Sequence, residues 1–235
     1  MKNIVRTLTL EELKQIEVVS PNVSDKYVPI YTSDIIEILK PEFEFIEACQ
    51  FVKGTNKHYA DLINKDGDII RIYNSYDRKL ALSVSLVSDN INIDLGINRL
   101  IHIGGKAKEF TKLLEETKDD INESITTTKI AMAKFKTIPM SDKYTKIISD
   151  AVFYKEVNKK DFVSYTNYTD LLIKNKISVY EYIRISIDNF YEGNYTITYG
   201  DKKSKGRSTN STLRKLKVEN KVMKVLTINF PEFFL

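Results

Sequence analysis

The chain has 235 residues, with 36 Lys and Arg against 32 Asp and Glu for a formal net charge of +4, and is long enough for one large domain or two small ones with a sizeable core. Its single cysteine, Cys49, excludes an internal disulfide and any multi-cysteine metal cluster and fits a reducing cytoplasm. Charges are spread through Met1 to Glu12 and no apolar run approaches the roughly 18 residues of a membrane helix, so neither export nor membrane insertion is expected.

Thr9 and Glu12 stand at capping-box spacing and predict a short helix to about Glu17, closed by Pro21. Thr32 or Ser33 is placed to cap a second helix, Asp34 to Lys40, with Ile35, Ile36 and Leu39 as its apolar edge before Pro41. From Phe43 to Ile103 the apolar period becomes two, which predicts an antiparallel meander. Its strands are Phe43 to Lys53, Lys57 to Ile63 and Asp68 to Asn74, joined by a turn at 54–56 and an Asn64-Lys65-Asp66-Gly67 hairpin turn. Leu80, Leu82, Val84 and Leu86 then alternate with Ala81, Ser83, Ser85 and Val87, giving one packing face and one small, largely polar face. Ile91, Ile93 and Leu95 continue the pattern and Leu100 to Ile103 ends it.

A sheet with one apolar face needs a cover. The long helix after Gly104-Gly105 is the expected one, with Phe110, Leu113, Leu114, Thr117, Ile121, Ile125, Thr128, Met132 and Phe135 at helical spacing and Thr126-Thr127-Thr128 as a place to bend. Phe110, Leu114, Ile121 and Met132 should lie against the face of Leu80, Leu82, Val84 and Leu86. Ser141 is placed to cap a helix through Val152, and a shorter helix is expected at Thr169 to Lys174.

Farther on, Val179, Tyr182, Ile183, Ile187 and Phe190 form one apolar stripe, opposite Glu181, Arg184 and Asp188, until Gly193 stops the helix. Leu213, Leu216, Met223 and Leu226 form a second stripe, within which Asn220 must find backbone or a facing helix to bond. Between the stripes, Lys202, Lys203, Lys205, Arg207, Arg214, Lys215 and Lys217 stand against one acid, so 201–217 is +6 while the rest of the chain is −2. The pattern predicts an α+β fold: an antiparallel meander covered by a long helix in 1–138, and a helical C-terminal part with a basic loop in 139–235.

A cationic patch points to a polyanion, with nucleic acid the first candidate. The cations are mostly Lys, a point charge suited to sequence-independent phosphate contact. Tyr195 and Tyr199 precede the cationic run, where aromatics beside a basic groove can stack unpaired bases. Against this stand two plainer readings: Tyr195 to Tyr199 alternates like a strand, and Gly/Ser/Lys segments often only join elements.

No residue pattern names a reaction. His58 and His102 read as structural, lacking a second ligand at metal spacing, and Cys49 as a buried thiol. Glu116, Asp120 and Glu123 share a helical face that could hold Mg²⁺ but reads first as solvated. Gly104-Gly105 reads as a tight turn rather than a phosphate cradle. No metal or cofactor is expected.

Val23-Ser24-Asp25-Lys26-Tyr27, Thr32-Ser33-Asp34-Ile35-Ile36, Lys57-His58, Asn74-Ser75-Tyr76-Asp77, Val87-Ser88-Asp89-Asn90 and His102-Ile103-Gly104 are followed by Asp188-Asn189 with Gly193, the basic loop, and Asn220 with Met223. In this order the segments resemble the phage/plasmid-like protein family, a domain of unknown function borne by mobile elements. Tyr76 and Arg78 stand where the family has His and Gly, Met223 where it has Trp, and the Cys and Gly of its central segment are missing. The resemblance implies a mobile-element origin and leaves the activity open. By fold analogy alone, a meander followed by a long helix looks like the core of single-strand annealing proteins.

The expectation is a phage or plasmid nucleic-acid-binding accessory protein of the host cytoplasm, acting on single strands in replication or recombination. Lys202, Lys203, Lys205, Arg207, Arg214 and Lys215 would contact phosphates, Tyr195 and Tyr199 would stack, and Asn189 and Asn220 would serve as structural polar groups. Homo-oligomers and a host or phage protein are further expected partners, and a membrane is not. The alternative function is a protein-interaction factor, such as an inhibitor of host defence or a minor assembly protein.

Overall fold

A computed structural model describes residues 6–16, 30–51, 57–75, 82–89, 91–95, 107–153, 163–164, 176–199, 202–209 and 212–231. Strands β1 (Arg6–Leu8), β2 (Phe43–Gln50), β3 (His58–Asn64), β4 (Ile69–Asn74), β5 (Ser83–Ser88) and β6 (Ile91–Asp94) form one antiparallel sheet in sequential order. The β3–β4 turn closes as its residues dictate. Asn64 Oδ1 accepts from the amides of Asp66 and Asp68, and Gly67 takes the left-handed conformation at φ 81°.

Register sorts the side chains onto two faces. Leu8, Ala48, Ala60, Leu62, Ile70, Ile72, Val84, Leu86 and Ile93 share one, all buried. Helices α1 (Leu10–Ile16) and α2 (Thr32–Leu39) pack beside β2. The first opens with the expected box, Thr9 N–H to Glu12 at 2.9 Å and Glu12 N–H to the Thr9 hydroxyl at 3.2 Å. For α2 the cap expectation fails: Tyr31 is the N-cap without a side-chain bond, while Thr32 and Ser33 are buried inside the first turn. Thr32 is turned inward, its Oγ1 lying 2.7 Å from His58 Nε2.

The opposite sheet face is not simply solvated, since Tyr73, Ser83 and Ser85 on it are also buried. Arg71 there forms a bidentate pair with cross-strand Asp61, both bonds 2.6 Å, beneath which lies the Tyr59 ring.

Helix α3 (Ala107–Thr137) runs unbroken through the three threonines. The chain divides into two compact units within it, 1–126 and 127–235. Ile121 and Ile125 are buried in the first, Ala131, Met132 and Phe135 in the second, so Met132 does not belong to the unit that contains the sheet. Leu82, Val84 and Leu86 are buried as expected. Leu80, His102, Gly104-Gly105 and the helix expected at 169–174 lie outside the described residues, as do the side chains of Phe110, Leu114 and Glu116.

The second unit packs α4 (Asp142–Phe153), α5 (Val179–Glu192) and α6 (Thr212–Asn229), with a small antiparallel sheet of β7 (Val163–Ser164), β8 (Thr196–Tyr199) and β9 (Lys202–Lys205). It is therefore not purely helical. Helix α5 opens on a complete Ser178/Glu181 capping box and ends at Gly193 in the left-handed conformation. In α6, Glu219 is fully buried alongside Val222 and Leu226 and accepts from the Tyr191 hydroxyl. The neighbouring Asn220 keeps a buried Oδ1 without a partner among the described residues.

Candidate nucleic-acid interface

The basic segment is not a loose connection: Lys202–Lys205 form the second strand of a β-hairpin, and Arg214, Lys215 and Lys217 lie in the first turns of α6. Strand β8 leaves α5 after Gly193 and Tyr195, and β9 returns in register, Thr196 opposite Lys205 and Tyr199 opposite Lys202. Two glycines hold its base closed. A Cβ on Gly193 would meet the Ser208 nitrogen at 2.5 Å, and one on Gly206 would meet the Tyr195 ring at 2.6 Å. The Gly206 amide donates to Tyr195 O and the Thr209 amide to Tyr191 O. Asn189, expected as a structural polar group, is buried, and its carbonyl accepts the Gly193 and Asn194 amides at the turn.

β9 is the outermost strand of its sheet among the described residues, and Lys202, Lys203 and Lys205 are all exposed. Side-chain alternation puts Lys203 and Lys205 on one face, spaced by about 6.8 Å of extended chain, with Lys202 on the other. Arg207 is exposed just beyond.

Tyr195 is not available for a base. It is 9% exposed, stacked on Phe190 with centroids 5.7 Å apart, and also against Phe153 at 5.5 Å. A ring sandwiched this way packs the hairpin onto α5, which corrects its assignment as a stacking platform. The Tyr199 side chain lies outside the described residues.

The remaining two cations serve packing as well. The Arg214 guanidinium lies 5.1 Å over Phe190, and Lys215 Nζ 4.2 Å over Tyr191. One aromatic stack, Phe190 on Tyr195 on Gly206, thus joins the start of α6 to the hairpin that carries the lysines.

Charge is partitioned more widely than a local patch. Unit 127–235 has 20 Lys and Arg against 11 Asp and Glu, net +9; unit 1–126 has 16 against 21, net −5. The +6 segment sits in a unit that is basic beyond it.

Of the other singled-out residues, His58 and Cys49 lie in the core. His58 is fully buried, and burial raises the pKa of the buried Cys49 thiol, so that the reactive thiolate is disfavoured. Asp120 and Glu123 are exposed on α3. Among the described residues no group of three His, Cys, Asp or Glu is placed to hold a metal ion. Two arrangements escaped the sequence reading: the Thr32–His58–Asn74 cluster and the Asp61–Arg71 pair. The second was legible, because the Asn64–Gly67 turn sets the register that puts 61 opposite 71. No helix among the described residues is long and apolar enough to cross a membrane. No family model matches the chain, and no curated protein or solved structure matches it.

Proposed function

We propose that the protein is a nucleic-acid-binding accessory protein of a phage or plasmid that grips phosphates with its basic hairpin. The observation that carries the reading is the exposure of Lys202, Lys203, Lys205 and Arg207 together on an outermost strand and its exit, within a unit of net charge +9. Lysine contacts release counterions without reading base edges, so binding is sequence-independent and steeply salt-dependent. With Tyr195 buried, any preference for single strands falls to Tyr199. The mobile-element origin rests on the resemblance alone.

Titrating single-stranded and duplex DNA of unrelated sequences tests this. Replacing Lys202, Lys203, Lys205 and Arg207 together by Ala should weaken all of them and lower the slope of log affinity against log salt by about 0.7 to 0.9 per lost contact. An unchanged slope would assign these cations to an acidic protein partner instead.

A further inference from the structure

The first unit carries a surface opposite in character to the hairpin. β1, the outermost described strand of the six-stranded sheet, pairs with β2 only as far as Leu8 opposite Ala48, and beyond that pair, between residues 7–12 and the β2 edge at 45–47, lies an open groove of about 450 Å³. A β-bulge between Phe45 and Glu47 leaves Ile46 beside it, 46% exposed. The rim carries three carboxylates, Glu11, Glu12 and Glu47, of which Glu12 pairs with Arg6. The result is an apolar trough with an acidic rim along a sheet edge, on a unit of net charge −5.

β9 complements it in form and charge. It is an extended outermost strand with three exposed lysines and no acid. Lysines on a strand edge disfavour pairing with another such edge, so two β9 strands repel each other, whereas an acid-rimmed edge matches. We propose that the β1–β2 groove receives β9 of a second copy of this chain, edge to edge, as in strand addition to an open sheet. The two surfaces differ, so the contact is heterologous and leaves one groove and one β9 free at the ends of a pair, generating a ring or an open series. Because β9 also carries the proposed phosphate contacts, nucleic acid and self-association compete.

Sedimentation velocity on the nucleic-acid-free protein tests the contact. The wild type should self-associate with rising concentration at low salt and dissociate at high salt. Lys202→Glu/Lys203→Glu/Lys205→Glu and Glu11→Lys/Glu47→Lys should each sediment as monomers with unchanged circular dichroism. Their equimolar mixture should recover the heavier species, since it restores one natural contact and creates one with both charges reversed. A wild type that stays monomeric, a charge reversal that leaves association intact, or a mixture that stays monomeric overturns the proposal. The groove variant keeps β9 intact, so its DNA binding is read separately. Binding without self-association defeats only the groove contact, and self-association without binding defeats only the nucleic-acid reading.

Discussion

Asn74 Nδ2 donates to Ile30 O at 2.8 Å and to Thr32 Oγ1 at 3.1 Å, and Thr32 Oγ1 lies 2.7 Å from His58 Nε2. The threonine hydroxyl thus bridges the Asn74 amide and the His58 ring. All three residues are fully buried, so Thr32→Val, which removes the bridging hydroxyl, should cost about 1 to 3 kcal/mol, read as a lower urea midpoint at unchanged m. At α5 the Ser178 amide and hydroxyl donate to Glu181 Oε2 at 2.7 and 2.9 Å and lower its pKa below the usual 4.5. A depressed carboxylate stabilises the fold above its unfolded pKa and loses that contribution as pH falls through the folded value. Glu181→Gln should therefore flatten this part of the acid limb, measured as Tm against pH, and Ser178→Ala should cost about 1 kcal/mol. The box is legible because its partners are three residues apart; the His58 cluster is not, because Thr32 lies 26 residues away and only tertiary packing brings it there.

The hairpin shows why an element can escape its own sequence. The sequence of β9, Lys-Lys-Ser-Lys, exposes every side chain, so no apolar alternation marks it as a strand. Its partner β8 does alternate, and the residue just before it, Tyr195, is packing. Tyr195→Ala should destabilise the second unit by about 3 to 5 kcal/mol in a thermal or urea melt, as for other large aromatics. A selective loss of single-strand affinity with unchanged stability would restore the stacking assignment. In the meander the turn chemistry and alternation were enough, and Leu82→Ala should cost about 2 to 5 kcal/mol. What alternation did not reveal was coverage of the second face, where Ser83 and Ser85, small and polar, are nevertheless buried.

For the whole molecule, the α+β class follows from the change of apolar period near Phe43 and again after Gly105. The division into units falls inside one continuous helix, without proline or glycine, at the Thr126-Thr127-Thr128 run where the charge turns from acidic to basic; that run read as a bend rather than a boundary, so the partition into −5 and +9 became countable only with the contacts. That partition underlies both the phosphate-binding reading and the contact between copies. The central claim is most directly tested by fluorescence anisotropy of a labelled single-stranded DNA against the wild-type protein over a series of salt concentrations. Four phosphate contacts predict a log affinity that falls with log salt at a slope of roughly −3. Absence of binding, or an affinity indifferent to salt, would contradict the account.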